Sequence, residues 1–204
     1  MEAVNLADAK ELIDKISKFY ADFFKTGIPS DIESRISFYD KEKCNGHHGE
    51  YDWYNDKIKL YLFDYDQAEN LVHEFGHRNY ELETRTNRKG WETINKRDIS
   101  KRRINMIIHR TKFLHEVIAN AVSYAYLFSS ENGFSDNLFG RDVIKEFFNE
   151  YRKSLLNNPD DPSLEAKMNF TAYLMGMHLV GKYGNNVWGN IKQVRSLRAL
   201  ERSL

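Results

Sequence analysis

The sequence predicts an α+β fold, mostly helical, with one small antiparallel sheet in its N-terminal third. Three observations carry that prediction. Apolar residues recur at helical spacing through most of the chain, strict alternation is confined to residues 35–63, and only three prolines are present to interrupt helices. The 204 residues are 41% hydrophobic, enough for one domain with a real core. No repeat or low-complexity tract divides them, so the expected organisation is one domain over residues 1–204, with an N-terminal helix and a helical C-terminal extension.

The elements follow in order. In residues 6–24, Leu12, Ile13, Ile16, Phe19, Tyr20, Phe23 and Phe24 fall on one helical stripe, and Gly27 and Pro29 end the run. Residues 35–44 alternate weakly, as a strand would. Asn45-Gly46 is a turn signal, with Gly49 just beyond it. Residues 50–54 and 57–63 read as two strands joined at Asn55-Asp56. In the second, Ile58, Leu60 and Leu62 share one face and Lys57, Lys59 and Tyr61 the other. Asp64 or Asp66 can cap a helix reaching about residue 84. Residues 85–97 are polar and contain Gly90, so they read as a loop. A long helix over about 101–128 follows, then a turn over 131–139 and a helix over 141–155. Asp161-Pro162 puts a proline at the first position of a helix reaching about Tyr183. A short helix over 190–200 closes the chain.

Charge and cysteine content narrow the partners. Lysine plus arginine equals aspartate plus glutamate, 30 each, so no net charge steers a polyanion. Locally, ten basic residues lie between Arg85 and Lys112, opposed only by Glu92 and Asp98. That segment could meet nucleic acid or an acidic partner, with Trp91 available to stack. A solvated loop and helix face is the simpler account, and no recognised nucleic-acid motif accompanies it. One cysteine, Cys44, excludes an intrachain disulfide and fits a reducing compartment. Cys44, His47 and His48 could contact a metal, although a hairpin turn with incidental histidines explains them more simply. The first residues carry no basic and then apolar leader, and the most apolar later stretch, 170–180, is too short to span a bilayer. The expectation is a soluble cytoplasmic protein with no membrane partner.

The chemistry-bearing segment is His73-Glu74-Phe75-Gly76-His77. A helix sets residues i and i+4 on one face, so His73 and His77 present two imidazoles to one point. Zinc favours such neutral imidazoles in tetrahedral geometry. Glu74 lies beside the first histidine, where its carboxylate can reach a zinc-bound water and accept its proton. Two histidines on an exposed helix face are the plain alternative. Against it, Ala68, Leu71, Val72 and Phe75 give this helix a separate side to bury, and Gly76 permits close approach of another element.

A catalytic zinc needs a third protein ligand. The best placed is Glu116, with Ala119 small at i+3 and Asn120 at i+4 able to fix a ligand imidazole. His109, His115 and Asp98 are its rivals. His115 points about 100° away from Glu116, so both cannot easily reach one ion. An oxyanion donor is also required, and His178, set among Met, Leu and Val, is the leading candidate. Tyr183 and Tyr124 are weaker ones, and a core histidine bonded to a carbonyl is an equal reading of His178.

His73-Glu74-Phe75-Gly76-His77 with residues 116–125, Glu-Val-Ile-Ala-Asn-Ala-Val-Ser-Tyr-Ala, resembles the gluzincin metallopeptidases. The likeness is to small ones, the minigluzincins and ImmA/IrrE-like regulatory peptidases, with HExxH and E-x-x-A-N-x-x-A patterns. The resemblance covers about residues 57–128. It implies a zincin-like fold, with His73, His77 and Glu116 as zinc ligands and Glu74 as general base. It also implies an edge strand, here residues 57–63, packed against the zinc helix and pairing with extended substrate. The insert between the motifs is longer and more basic than the tightest family pattern. The expected function is hydrolysis of peptide bonds in a peptide or protein substrate, with Zn2+ as cofactor. The alternative is a non-catalytic zinc-containing regulatory protein that uses residues 85–112 to bind nucleic acid or an acidic partner.

Overall fold

A computed structural model of the chain describes residues 6–40, 42, 48–62, 67–96, 98–130 and 140–204. Cys44, Asn45-Gly46, His47, the capping candidates Asp64 and Asp66 and the turn at 131–139 lie outside the described residues.

Helix α1, Leu6–Phe24, spans the predicted residues. It buries Ile13, Ile16, Tyr20, Phe23 and Phe24, whose three- and four-residue spacing makes one stripe. Strands β1, Ile36–Asp40, β2, Gly49–Asp52, and β3, Lys57–Leu62, form a sheet of order β1-β3-β2. The sheet is mixed, where the sequence reading expects antiparallel pairing: β3 runs antiparallel to β2 and parallel to β1. The expected edge strand, β3, is therefore the central one, and β2 is the edge on the side of the helix that follows. Composition explains the order. Ile58 and Leu60 of β3 are completely buried, whereas β2 is short and carries Glu50 and Asp52, as suits an exposed edge.

Helix α2, Ala68–Thr84, carries the HEFGH segment and buries Ala68, Leu71, Val72 and Phe75. The segment read as a loop instead forms helix α3, Thr86–Asn95. Its start is capped from a distance: the Glu81 carboxylate on α2 accepts from the N–H groups of Asn87 at 2.8 Å and Arg88 at 3.2 Å. Arg85 links the two helices in the left-handed region, φ 54°. Neither feature has a local signature of the usual N-cap kind.

Helix α4, Lys101–Ser130, runs through the core, with Phe113, Val117, Ile118, Ala121, Val122 and Ala125 fully buried. Helix α5, Arg141–Asn157, stacks Tyr151 on Phe113 with ring centroids 4.5 Å apart. Helix α6, Leu164–Tyr183, starts two residues after Pro162, because Asp161 first closes a turn by accepting from Ser163 N–H at 2.8 Å. The expected closing helix is two, α7, Val187–Ile191, and α8, Leu197–Ser203, the second capped by Ser196. No described helix is long and apolar enough to cross a membrane.

Two glycines set how α4 meets its neighbours. A Cβ on Gly76 of α2 would lie 2.7 Å from Ala119 Cα of α4, and one on Gly176 of α6 would lie 2.8 Å from Asn120 Cβ. Both helices thus cross α4 at backbone distance, one on either side. The first crossing sets the distance between the HEFGH face and Glu116.

Candidate metal centre

His73, His77 and Glu116 converge. The two Nε2 atoms are 3.1 Å apart, Glu116 Oε2 is 3.6 Å from His73 Nε2, and Glu116 Oε1 is 3.9 Å from His77 Nε2. Donors bound about 2.1 Å from a tetrahedral ion sit about 3.3 Å from one another, close to this triangle. The donor chemistry also fits. Burial pushes His77 down to about 3, keeping it the neutral ligand form. Burial opposes ionisation of Glu116, but His77 and His73 outweigh it and hold the carboxyl down at about 2. Among the described residues this is the one such group of three His, Cys, Asp or Glu, and its composition permits a metal without naming the ion.

Glu74 stands apart from the donor set. It is buried, its Oε2 has no hydrogen-bond partner among the described residues, and burial raises it to about 8. The two carboxyls of the site thus titrate far apart, the pattern of one ligand and one proton carrier. Gly49 of β2 leaves room for Glu74, since a Cβ there would lie 2.7 Å from Glu74 Oε1.

The strand above Glu74 is held by a part-buried network. Arg78, next to His77, donates from Nε to Asp56 Oδ1 at 2.8 Å and from Nη2 to Asp56 Oδ2 at 2.9 Å. Tyr51 OH donates to Asp56 Oδ1 at 3.1 Å, and Arg35 Nη1 donates to Asp56 Oδ2 at 2.5 Å. These contacts tie β1, the β2–β3 turn and α2 together. His48 C=O accepts from Tyr61 N–H across the β2–β3 pair. By the alternation of an antiparallel ladder, the main-chain groups of Gly49 and Tyr51 face the free edge.

The cleft around the donors is about 610 Å³ and includes His48, Asn70, Asn87, Lys112 and His115. Beside it lies a smaller groove of about 160 Å³, lined by Trp53, Trp91, Ile94 and Ile108 and sharing Asn87 and Lys112 with the cleft. Sequence reasoning missed β2 as the cleft's edge and missed Asn70, Asn87 and Lys112. Gly49 directly after His48 was the available signal.

The rival ligands do not join the three. His115 stacks on His77 with ring centroids 5.7 Å apart and turns its Nε2 to 3.3 Å from Glu81 Oε2, near enough for ion pairing but off the line of a hydrogen bond. His109 and Asp98 are not in the group. Asn120 lies against Gly176 and, among the described residues, makes no hydrogen bond to either imidazole. The proposed oxyanion donors do not line the cleft either. His178 is buried on α6, with Nε2 3.5 Å from Leu204 O. Tyr183 donates to Ser203 O at 2.9 Å, and Tyr124 packs edge-on against Tyr173. The structure thus sets His178 beside the C-terminal residue and away from the lining of the cleft.

The basic segment is partly engaged: Lys89 donates to Thr84 O, Lys96 to Glu92, Arg102 to Leu156 O and Lys112 to Glu165. Compared with protein-family models, with curated proteins and with solved structures, the chain returns no significant match, so the site stands on its own geometry.

Proposed function

We propose that the chain is a single-domain zinc-dependent peptidase of gluzincin type, with His73, His77 and Glu116 holding the ion and Glu74 carrying the proton. The observation that carries this reading is Glu74: a buried carboxylate with an unpartnered oxygen, beside three converging donors and beneath a free strand edge. A bound zinc ion supplies Lewis acidity, which polarises a carbonyl and makes water easier to deprotonate. Glu74 takes the proton of the attacking water. Burial makes Glu74 a stronger base than an exposed carboxylate, which suits a group that takes and then returns a proton. As the carbon–nitrogen bond breaks, Glu74 passes the proton to the leaving amine, so the reaction consumes one water and leaves one acid and one amine.

The free edge of β2 supports a peptide as the substrate. The main chain of Gly49 and the carbonyl of Tyr51 face this edge, while Tyr51 N–H is taken by the Glu74 carboxyl, and an extended chain needs no particular sequence to pair there. A substrate running antiparallel to β2 carries its residues N-terminal to the scissile bond toward Trp53. The groove of Trp53, Trp91, Ile94 and Ile108 would receive one of their side chains. Of the histidines and lysine that line the cleft, Lys112 is engaged by Glu165 and His115 turns toward Glu81, so His48 is the proposed hydrogen-bond donor to the developing oxyanion.

The test is Glu74→Gln, with zinc content and cleavage of an unstructured peptide mixture measured on the same preparations. The substitution should leave one zinc per chain and lower turnover by about 10²–10⁴-fold. A Glu74→Gln variant that cleaves as fast as the parent would refute the mechanism. A parent that binds zinc and cleaves no peptide would refute the substrate.

A further inference from the structure

A second concavity, of about 420 Å³, lies among α4, α5 and the α7–α8 connection. Four arginines line it: Arg110 from α4, Arg152 from α5, and Arg195 and Arg198 from either side of Ser196. No carboxylate lines it. Arg152 pairs with Glu201 at 2.8 Å, and Arg195 donates to Gln193 Oε1 at 3.1 Å. Among the described residues neither Arg110 nor Arg198 pairs with a carboxylate. Part of the floor is apolar and open, with Leu156 exposed and Ile107 and Leu197 half-buried.

Such a gathering needs a reason in a chain of zero net charge. Arginines around one concavity repel one another; Glu201 offsets Arg152, while Arg110 and Arg198 are left to solvent or an anion. All four are arginine, whose planar fork meets phosphate oxygens bidentately, as lysine's point charge does not. The apolar floor adds a second requirement, because a free inorganic anion leaves it uncovered. Folding alone assembles the cluster, since only Arg110 belongs to the basic segment seen in the sequence.

We propose that this cavity binds a phosphoryl-bearing small molecule with an apolar or planar part, of the nucleoside phosphate class. The phosphoryl oxygens sit among Arg110, Arg195 and Arg198, and the planar part covers Ile107, Leu156 and Leu197. The size falls within the usual range of small-molecule pockets, roughly 300–1,000 Å³. The cavity is separate from the metal centre, although α4 contributes to both, so the proposal does not rest on the peptidase reading.

The test is titration calorimetry without added metal, using adenosine diphosphate, inorganic pyrophosphate and adenosine as probes. Adenosine diphosphate should bind saturably, one per chain, more tightly than pyrophosphate, and adenosine should not bind. Arg110→Gln with Arg198→Gln, both at exposed positions, should weaken adenosine diphosphate at least tenfold and leave the melting midpoint unchanged. His73→Ala should leave the affinity as it is. Absence of saturable binding, or binding untouched by the double substitution, would overturn the proposal. Pyrophosphate binding as tightly as adenosine diphosphate would overturn the apolar half of it. Should the double variant fail to fold, Arg198→Gln alone must still weaken binding several-fold, and an unchanged affinity overturns the proposal.

Discussion

Helix α4 is crossed at backbone distance by two helices, and the two crossings have different consequences. Both use a glycine: Gly76 of α2 against Ala119, and Gly176 of α6 against Asn120. Both crossing helices also carry histidine. At the first crossing, His73 and His77 stand at a cleft, meet Glu116 and lie beside a carboxylate with an unpartnered oxygen. At the second, His178 is buried with its Nε2 near Leu204 O, and no metal-ligating group of three forms around it among the described residues. Close packing is therefore the shared device and chemistry the exception. What marks the first crossing as a candidate site is convergence: three donor atoms close to one another beside a cleft.

The comparison can be broken most sharply at the ligands. His73→Ala or Glu116→Gln should lower metal affinity by more than about 100-fold, beyond the ~10–100-fold that loss of an outer partner costs. His178→Gln should leave metal content unchanged. Equilibrium zinc titration against a chelator separates these outcomes, and equal losses in the two groups would erase the contrast.

Gly49→Ala addresses the carboxylate alone. The added Cβ meets the flexible end of Glu74, so the carboxylate must shift while the donors stay. Turnover should fall roughly 10-fold to 100-fold, since small misplacements of a reacting group are costly. Zinc content should hold. Unchanged turnover would mean that Glu74 needs no fixed position.

The two crossings themselves give a smaller effect. Gly76→Ala and Gly176→Ala each push a Cβ into backbone or Cβ atoms of α4, and each should cost about 1–3 kcal/mol in denaturant unfolding. Only Gly76→Ala should also weaken zinc, because only it moves the HEFGH face away from Glu116. Equal zinc affinity in both variants would contradict that division.

The smallest effect is in pH. Burial holds His178 below its ordinary value of 6.5, against the raising contact with Leu204 O. Its neutral form belongs to the folded chain. Its contribution to stability is whole above pH 6.5 and is lost as pH falls from there through the folded-state value. Melting temperatures of parent and His178→Gln should differ most above pH 6.5 and draw together below it. Parallel curves from pH 8 to pH 5 would show that His178 does not titrate on unfolding.

The convergence of His73, His77 and Glu116 was legible in the sequence because its signals are local. Helical spacing aligns His73 with His77, and small residues at Gly76 and Ala119 mark the crossing that brings Glu116 to them. Strand parity likewise put Ile58 and Leu60 on the buried face. What was not legible depends on distant partners. Nothing near β3 announces its parallel pairing with β1, which moves it to the centre and hands the edge to β2. Nothing within residues 85–97 announces a helix, because its cap is Glu81 on the preceding helix. His178 shows the same limit: its neighbours in sequence report that it is buried but not where its ring nitrogens go. The arginine cavity draws on three separate parts of the chain and has no sequence signature.

In the proposed site, two imidazoles and one carboxylate hold the ion. Zinc-edge X-ray absorption of the zinc-loaded protein tests it most directly, because it reads donor type and number at the metal. The expected spectrum shows two imidazoles, the remaining donors oxygen, and no sulfur, with ligand distances of about 2.0–2.2 Å. A third imidazole, from His115 or His109, or a sulfur at about 2.3 Å from Cys44, would contradict it.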